Sequence, residues 1–304
     1  MLKFGLIVPT LNAGSEWLGW LDAFNGQTCK PDKMVVIDSS STDKTRSFSK
    51  DNGFTVELIG RDEFNHGGTR QYGLSFLGNV DVVVFLTQDA NLSSVDSLCQ
   101  ILEPFHDSRV GAVCGRQLPR RHATPVEAHA RLYNYSSEAF SRSIKDINKF
   151  GLKTAFISNS FAAYRISALN KVGGFPEDVI FGEDMYVATK LLMVGYEIAY
   201  AADACVYHSH DYSLWQEMKR YFDMGVFHAR EPWIRQELGG AEGEGVKFVV
   251  SELKYLLKHA FWQIPEALLR TLLRYTGFRL GLMEKRLPLS LKRVLAMNKG
   301  AFKR

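Results

Sequence analysis

Val80-Asp81-Val82-Val83-Val84-Phe85-Leu86-Thr87-Gln88-Asp89 is an apolar, largely β-branched run that stops at three polar residues. A strand covered on both faces reads this way, because neither side of its pleat meets water. Working outward, Phe4–Val8 is a second such run and ends in Pro9-Thr10-Leu11-Asn12. Met34–Ile37 is a third and ends in Asp38-Ser39-Ser40-Ser41-Thr42-Asp43, a cluster that also holds N-cap residues for a following helix. Phe54–Ile59 and Val110–Cys114 are further short strand-like runs, while Ser15–Phe24 and Gln71–Leu77 read as helices. Strands alternating with helices predict an α/β fold on a parallel, doubly wound sheet. Ligands of such sheets bind at the carboxyl ends of the strands, where Asn12, Asp38 and Asp89 all stand.

The middle of the chain changes character. Pro125–Ile147 predicts a long polar helix, Lys153–Tyr164 one or two strands, and Tyr196–Tyr207 two more. Gly182-Glu183-Asp184 opens an apolar helix through Val194, and another helix is expected over Leu214–Ala229. Gly239, Gly240, Gly243 and Gly245 then fall within seven residues and mark a flexible joint. The expected division is a main domain over 1–238 and a helical C-terminal region over 246–304.

The 304 residues suffice for one large α/β domain, and 46% apolar with 23% charged content is ordinary for a soluble globular chain. Cys29, Cys99, Cys114 and Cys205 are scattered without a CxxC spacing. That pattern argues against a zinc cluster or a disulfide scaffold and fits a reducing cytoplasm. No charged-then-apolar leader is visible, and no apolar run approaches the roughly 18–20 residues that span a bilayer. From Lys254 to Arg304 there are twelve Lys/Arg and two acids, so this tail carries +10 and the rest of a chain of net charge +4 carries −6. Leu268, Leu269, Leu272, Leu273, Leu280 and Met283 form a helical stripe with Arg270 and Arg274 opposite, either a core face or a face for the membrane interface. An anionic membrane surface suits such a tail. Nucleic acid does not, because no DNA or RNA motif is present and the body is acidic.

Four constellations carry chemistry. In Glu63-Phe64-Asn65-His66-Gly67-Gly68-Thr69-Arg70, a turn opening a helix offers backbone N–H groups and a bidentate Arg70 to an anion, or is simply a capped surface helix. Asp89 ends a buried strand, either as a ligand for Mg²⁺ or Mn²⁺ or as a cap for a helix from Leu92 onward. Glu183 and Asp184 complement a helix dipole or supply a general base. His208 and His210 leave a strand on one face, and one of them, His208 foremost, is a candidate metal ligand.

These residues together resemble glycosyltransferase family 2. The resemblance rests on Val8-Pro9-Thr10-Leu11-Asn12, Val36-Ile37-Asp38-Ser39-Ser40-Ser41-Thr42-Asp43, Thr87-Gln88-Asp89 and Glu183-Asp184, in the family's order and spacing. More narrowly, Phe64–Arg70, Leu86–Ala90, Ser158–Arg165, His208-Ser209-His210 and Arg220–His228 are similar to bacterial rhamnosyltransferases of O-antigen assembly. The resemblance implies a GT-A fold: a Rossmann-like nucleotide half with a mostly parallel sheet, an acceptor half and a C-terminal helical appendage. It implies an inverting, metal-assisted transfer from dTDP-L-rhamnose to an undecaprenyl-diphosphate-linked sugar, at the inner face of the inner membrane. By position, Pro9, Thr10, Asn12, Asp38, Ser40, His66, Arg70, Gln88 and Asp89 would contact the donor. Asn159, Ser160 and Glu183 would contact the acceptor, Asp184 would be the base, and Asp89 with His208 would hold the divalent cation. Thr87 stands where the family's Asp-x-Asp has its first acid, leaving Asp89 as the charged ligand. Glu217-Met218-Lys219-Arg220-Tyr221 replaces the Gln-x-x-Arg-Trp of processive members, which implies one transfer per acceptor.

Overall fold

A computed structural model describes residues 2–240 and 243–302. The first part alternates as expected: β1 (Phe4–Thr10), α1 (Glu16–Asn25), β2 (Lys33–Asp38), α2 (Thr45–Asp51), β3 (Thr55–Leu58), α3 (His66–Leu74) and β4 (Val82–Leu86). The middle contains β5 (Asn91–Leu92), α4 (Ser97–Leu102), β6 (Val110–Leu118), α5 (Pro125–Asn134), β7 (Phe140–Arg142) and α6 (Ile147–Phe150). It continues with β8 (Phe161–Arg165), α7 (Ile166–Lys171), α8 (Glu183–Met193) and β9 (Glu197–Tyr207). The last part is helical: α9 (Leu214–Arg230), α10 (Pro232–Leu238), α11 (Glu244–His259), α12 (Ile264–Leu282) and α13 (Leu289–Leu295).

One sheet runs β3-β2-β1-β4-β8-β6-β9-β5, with β7 paired to β9. Pairing is parallel among β3, β2, β1 and β4 and again between β6 and β9, while β8 lies antiparallel between β4 and β6. The sheet is therefore mostly parallel but not uniformly so. Successive strand residues point to opposite faces, which sends Val83 and Phe85 of β4 into one core and Val82, Val84 and Leu86 into the other. Trp17, Trp20 and Phe24 of α1 cover the second face; Val187, Ala188 and Leu191 of α8 help to cover the first.

The middle corrects three expectations. The helix begun at Pro125 stops at Asn134, because Tyr135 turns into the core and the chain must reach β9 again as β7. There Phe140 stacks on Tyr200 with centroids 4.9 Å apart, a contact that local polarity does not announce. Lys153–Tyr164 opens with a 3₁₀ turn, Gly151–Ala155, before β8. Tyr196–Tyr207 is one long strand rather than two, its register against β6 shifting between Gly115 and Arg116.

The scattered cysteines contain one pair that their spacing does not announce. Cys29 and Cys99, 70 residues apart, form a disulfide that ties the segment after α1 to α4, while Cys114 and Cys205 stay free. Sequence spacing says nothing about two side chains that meet only after the sheet is assembled.

The glycine-rich joint spans residues 241 and 242, which lie outside the described residues. Beyond it, α12 packs along α9 at backbone contact. A Cβ on Gly277 would stand 2.3 Å from Met218 O, and one on Gly281 2.2 Å from Phe222 O. Arg270 and Arg274 do not point away from the body as a lipid-seeking face would. Arg274 is buried and pairs with Glu217 at 2.5 Å, and Arg270 pairs with Glu217 at 2.8 Å and Glu266 at 2.7 Å. Lys292 likewise pairs with Glu284 at 2.8 Å. The apolar stripe divides: Leu273 and Leu280 pack on the core, while Leu268, Leu269 and Leu272 are exposed.

Candidate active site

The carboxyl ends of β1, β2 and β4 are stitched together by short polar side chains. Asp38, expected to hold a nucleoside, is fully buried and accepts from Thr10 Oγ1 (2.9 Å), Ser41 Oγ (2.6 Å) and Ser41 N (2.8 Å). Gln88 grips the backbone of Leu11, accepting from its N–H at 2.7 Å and donating to its carbonyl at 3.1 Å. Asn12 Oδ1 accepts from Thr42 N at 2.8 Å, and Ser40 Oγ donates to Ile59 O at 2.8 Å. Thr10, Asp38 and Gln88 thus brace the strand ends rather than face an open cavity. Pro9 lies within β1, opposite Ile37. Asn12 (φ 45°) and Ser40 (φ 63°) adopt left-handed backbone, a strained arrangement that clusters at functional sites.

Past the end of β4, Asp89 meets the segment that follows β9. Asn91–Leu92 is strand, and the next helix begins only at Ser97, so Asp89 is not the cap of a helix from Leu92. Its Oδ2 lies 3.5 Å from Nε2 of His208 and 3.5 Å from Nε2 of His210. The β6–β9 ladder explains the geometry: it extends to a His208 N–H donated to Leu118 O at 2.9 Å and brings Gln117 beside His208. The Gln117 amide nitrogen donates to Ser158 Oγ at 3.0 Å, so its carbonyl faces His208 Nδ1 at 2.9 Å. That fixes the Nδ1–H tautomer and leaves Nε2 with its lone pair toward Asp89. Burial pushes the His208 imidazolium down, and burial with the neighbouring His208 pushes His210 down to about 3, so both rings are neutral at pH 7. Burial alone would raise the Asp89 carboxyl, but in the acid range where it titrates both rings are protonated, and the His208 hydrogen bond with the two imidazolium charges holds it well below the usual range. At pH 7 the Asp89 carboxylate thus faces the His208 lone pair with the His210 ring alongside, all within 4.8 Å of one another, and a cation among them relieves the repulsion. Oxygen and nitrogen donors of this kind fit Mg²⁺ or Mn²⁺.

The second carboxylate centre is at the start of α8, where Gly182 (φ 72°) turns the chain. Glu183 is buried, pairs with Arg70 at 3.0 Å and accepts from Asn159 Nδ2 at 3.0 Å. The anion site expected on α3 is therefore occupied from within the protein. Arg70 is bound to Glu183 and donates to His66 O at 2.8 Å, and Asn65 Oδ1 takes the Gly68 N–H at 2.6 Å. Asn159 is also used internally, its Oδ1 accepting from Tyr164 Oη at 2.7 Å. Asp184 differs. Its oxygens receive only backbone donors, Met185 N at 2.8 Å and Asn159 N at 3.3 Å. Burial first, then the charge of Glu183, raises its carboxyl to about 7. A carboxyl poised there exchanges protons near neutrality.

Both centres line one cleft of about 340 Å³, together with His66, Ser160, Tyr212 and Arg220. Arg220 has no ionic partner among the described residues and lies over the Phe181 and Tyr212 rings at 5.2 and 5.7 Å. Sequence reasoning missed four supports. Gln117 sets the His208 tautomer. Arg120 donates to Asp89 O at 2.8 Å, and Arg131 donates to His208 O at 2.9 Å. Arg220 is the cleft's cation without an ionic partner among the described residues. Two had a signal: Arg120 follows the end of β6 as Asp89 follows β4, and Arg220 heads the Arg220–His228 run that carries the resemblance.

Comparison with known proteins gives the family and the fold. Residues 82–276 match the glycosyl transferase family group 2. The chain is 50% identical to the O-antigen chain rhamnosyltransferase WbaN of Salmonella anatum, over 98% of this chain and 95% of the relative. It is 48% identical to the O-antigen chain rhamnosyltransferase RfbN of Salmonella typhimurium, with the same coverage. Among solved structures, the mannosyltransferase PcManGT from Pyrobaculum calidifontis in complex with GDP-Man and Mn²⁺ superposes with a TM-score of 0.58 at 21% identity, over 99% of this chain and 86% of that one. S. aureus TarS residues 1–349 give 0.54 at 14% identity, over 94% and 91%. These two likenesses establish the fold, a GT-A architecture. The chain is a glycosyltransferase and belongs to glycosyl transferase family group 2.

Proposed function

We propose that this enzyme transfers L-rhamnose from dTDP-β-L-rhamnose to a sugar carried on a polyprenyl diphosphate, a step of O-antigen assembly. The observation that carries the reading is one cleft in which a proton-exchanging Asp184 accompanies the cation-fitting set Asp89, His208 and His210. The names of the two relatives, alike along nearly the whole chain, support the choice of sugar.

Asp184 takes the proton from the attacking acceptor hydroxyl. Backbone N–H groups fix its orientation, and its raised carboxyl is basic enough to accept the proton yet half ionised near pH 7. Displacement from the opposite face inverts the β-linked donor to an α-L-rhamnoside. Asp89 and His208, with His210, would hold a divalent cation, which when bound neutralises charge on the departing diphosphate. Ser160 lines the acceptor side. Glu183 and Asn159 act by holding α8 against α3 and β8.

No helix among the described residues is long and apolar enough to cross a membrane. The reading places the enzyme peripherally on the cytoplasmic face of the inner membrane, with the exposed apolar side chains of α11 and α12 toward lipid. A donor panel tests the function. Purified protein with acceptor should release dTDP from dTDP-rhamnose far faster than UDP from UDP-glucose or UDP-N-acetylglucosamine. Equal turnover of a UDP-sugar would overturn the rhamnose reading and leave the family assignment intact.

A further inference from the structure

A cavity larger than the catalytic cleft lies beside it. It is a groove of about 980 Å³ between α5, α9, α11 and α12, and nothing in the proposed chemistry uses it. Its walls are mainly apolar: Met224 from α9, Phe248 and Val249 from α11, and Leu268, Leu272 and Phe278 from α12.

Three features say what fits it. First, the groove adjoins the catalytic cleft, Arg131, Tyr212 and Arg220 lining both. Second, the groove's acids are already matched by bases. Glu217 pairs with Arg270 and Arg274, Glu244 with Lys153 and Lys247, and Glu127 lies 3.9 Å from Arg131. Arg220 is left as the cation without an ionic partner at the junction. Third, its lining reaches exposed apolar surface: Leu272 is 59% exposed and Tyr275 63%, and on the turn that leads into α12 Phe261 and Trp262 stand out at 67% and 66%. Surfaces this apolar mark a partner that is itself apolar. An occupant must therefore combine a long hydrocarbon body, an anionic group at the cleft end and an exit toward lipid.

We propose that this groove binds the proximal isoprenoid units of the acceptor's lipid, with its diphosphate at Arg220 and its sugar in the cleft before Asp184. The choice of an isoprenoid rests on the lipid-linked acceptor proposed above. Burying the chain here places the attacking hydroxyl a fixed distance from the membrane plane and gives the enzyme its preference for a lipid-borne over a free sugar.

The test separates the groove from the reaction. Geranylgeranyl diphosphate, used below its micellar concentration, is titrated against the full-length protein, with geranyl diphosphate and inorganic diphosphate as shorter probes. Wild type should bind the twenty-carbon probe at least about tenfold more tightly than the ten-carbon one, since each added isoprene unit buries more apolar surface. Thr271→Trp and Ala130→Trp fill the groove from opposite walls, away from the cleft. Each should weaken the long probe at least about tenfold and leave inorganic diphosphate unchanged. Each should also raise KM for a polyprenyl-linked acceptor while sparing a short-chain one. A benzophenone-bearing isoprenyl diphosphate should label peptides of α11 and α12 in wild type, which decides the matter if both variants misfold. Equal binding of the three probes by wild type, unchanged long-probe affinity in a folded variant, or labelling elsewhere would overturn the proposal. Chain-length-dependent binding without rhamnosyl transfer to any lipid-linked sugar would sustain the groove and sink the donor and acceptor reading.

Discussion

Two carboxylates in one cleft have been driven in opposite directions. Both Asp89 and Asp184 sit largely out of water, where an ionised carboxyl is disfavoured. Asp89 meets two imidazoles, whose protonated forms more than offset burial in acid, so its proton is lost well before the rings lose theirs and it is charged at pH 7. Asp184 meets another acid, Glu183, and no direct cation, so burial prevails and its carboxyl rises to about 7. Residue type is the same and surroundings decide the role: one group suits permanent charge, the other suits moving a proton. Arg70 completes the contrast. By binding Glu183 it keeps that acid ionised, and Glu183 in turn holds up its neighbour.

The comparison breaks most visibly at Asp184. Asp184→Asn keeps the shape but cannot take a proton, so kcat should fall by roughly two to four orders of magnitude. Donor affinity, measured by calorimetry without acceptor, should barely move; loss of donor binding instead would remove Asp184 from the base role.

Asp89→Ala should do the reverse. The donor should bind poorly, and added Mg²⁺ or Mn²⁺ should no longer stimulate turnover, because a hard cation has lost its carboxylate. Full wild-type activity in excess chelator would defeat the cation assignment altogether.

Gln117→Leu sharpens the same side without touching a candidate ligand. Releasing the His208 tautomer should cost about 10–100-fold in metal affinity. A titration of Mn²⁺ against activity reads this directly, and an unchanged midpoint would show that the 2.9 Å contact does not orient the ring.

A smaller shift is expected in the pH profile. Activity should rise with pH through an apparent pKa near 7 as Asp184 loses its proton. Glu183→Gln removes the neighbouring charge that raises Asp184 and frees Arg70, which lowers it. Both effects have one sign, so the ascending limb should move to lower pH. A limb that stays put or moves up would assign it to another group.

Opening the Cys29–Cys99 bond should change activity least, since neither cysteine lines the cleft. Closing so long a loop is worth about 2–4 kcal/mol in favourable cases, so Tm should drop under reductant while kcat persists. A loss of kcat at a temperature where the reduced protein stays folded would show that the bond supports one of the two centres.

Much of this molecule was legible in the sequence, and the reason is periodicity. Val82–Leu86, Phe4–Val8 and Met34–Ile37 carry unbroken apolar character because both faces of their sheet are covered, and their polar terminations mark the end where ligands bind. Asp89, Asp184 and His208 could be singled out for that reason, by type and by position at strand or helix ends. What stayed hidden is whatever depends on residues brought together from far apart. That Arg70 faces Glu183 rather than a phosphate, that Asp38 is enclosed by Thr10 and Ser41, and that Arg274 is buried against Glu217 are all facts of assembly. The tail shows the limit most plainly: a charge count sees twelve bases, while folding assigns several of them acid partners and turns only part of the leucine stripe outward. Composition and spacing determined which chemistry this chain is able to carry. The tertiary structure alone decided which groups are free to perform it, because pairing and burial are set by through-space neighbours that linear order does not record.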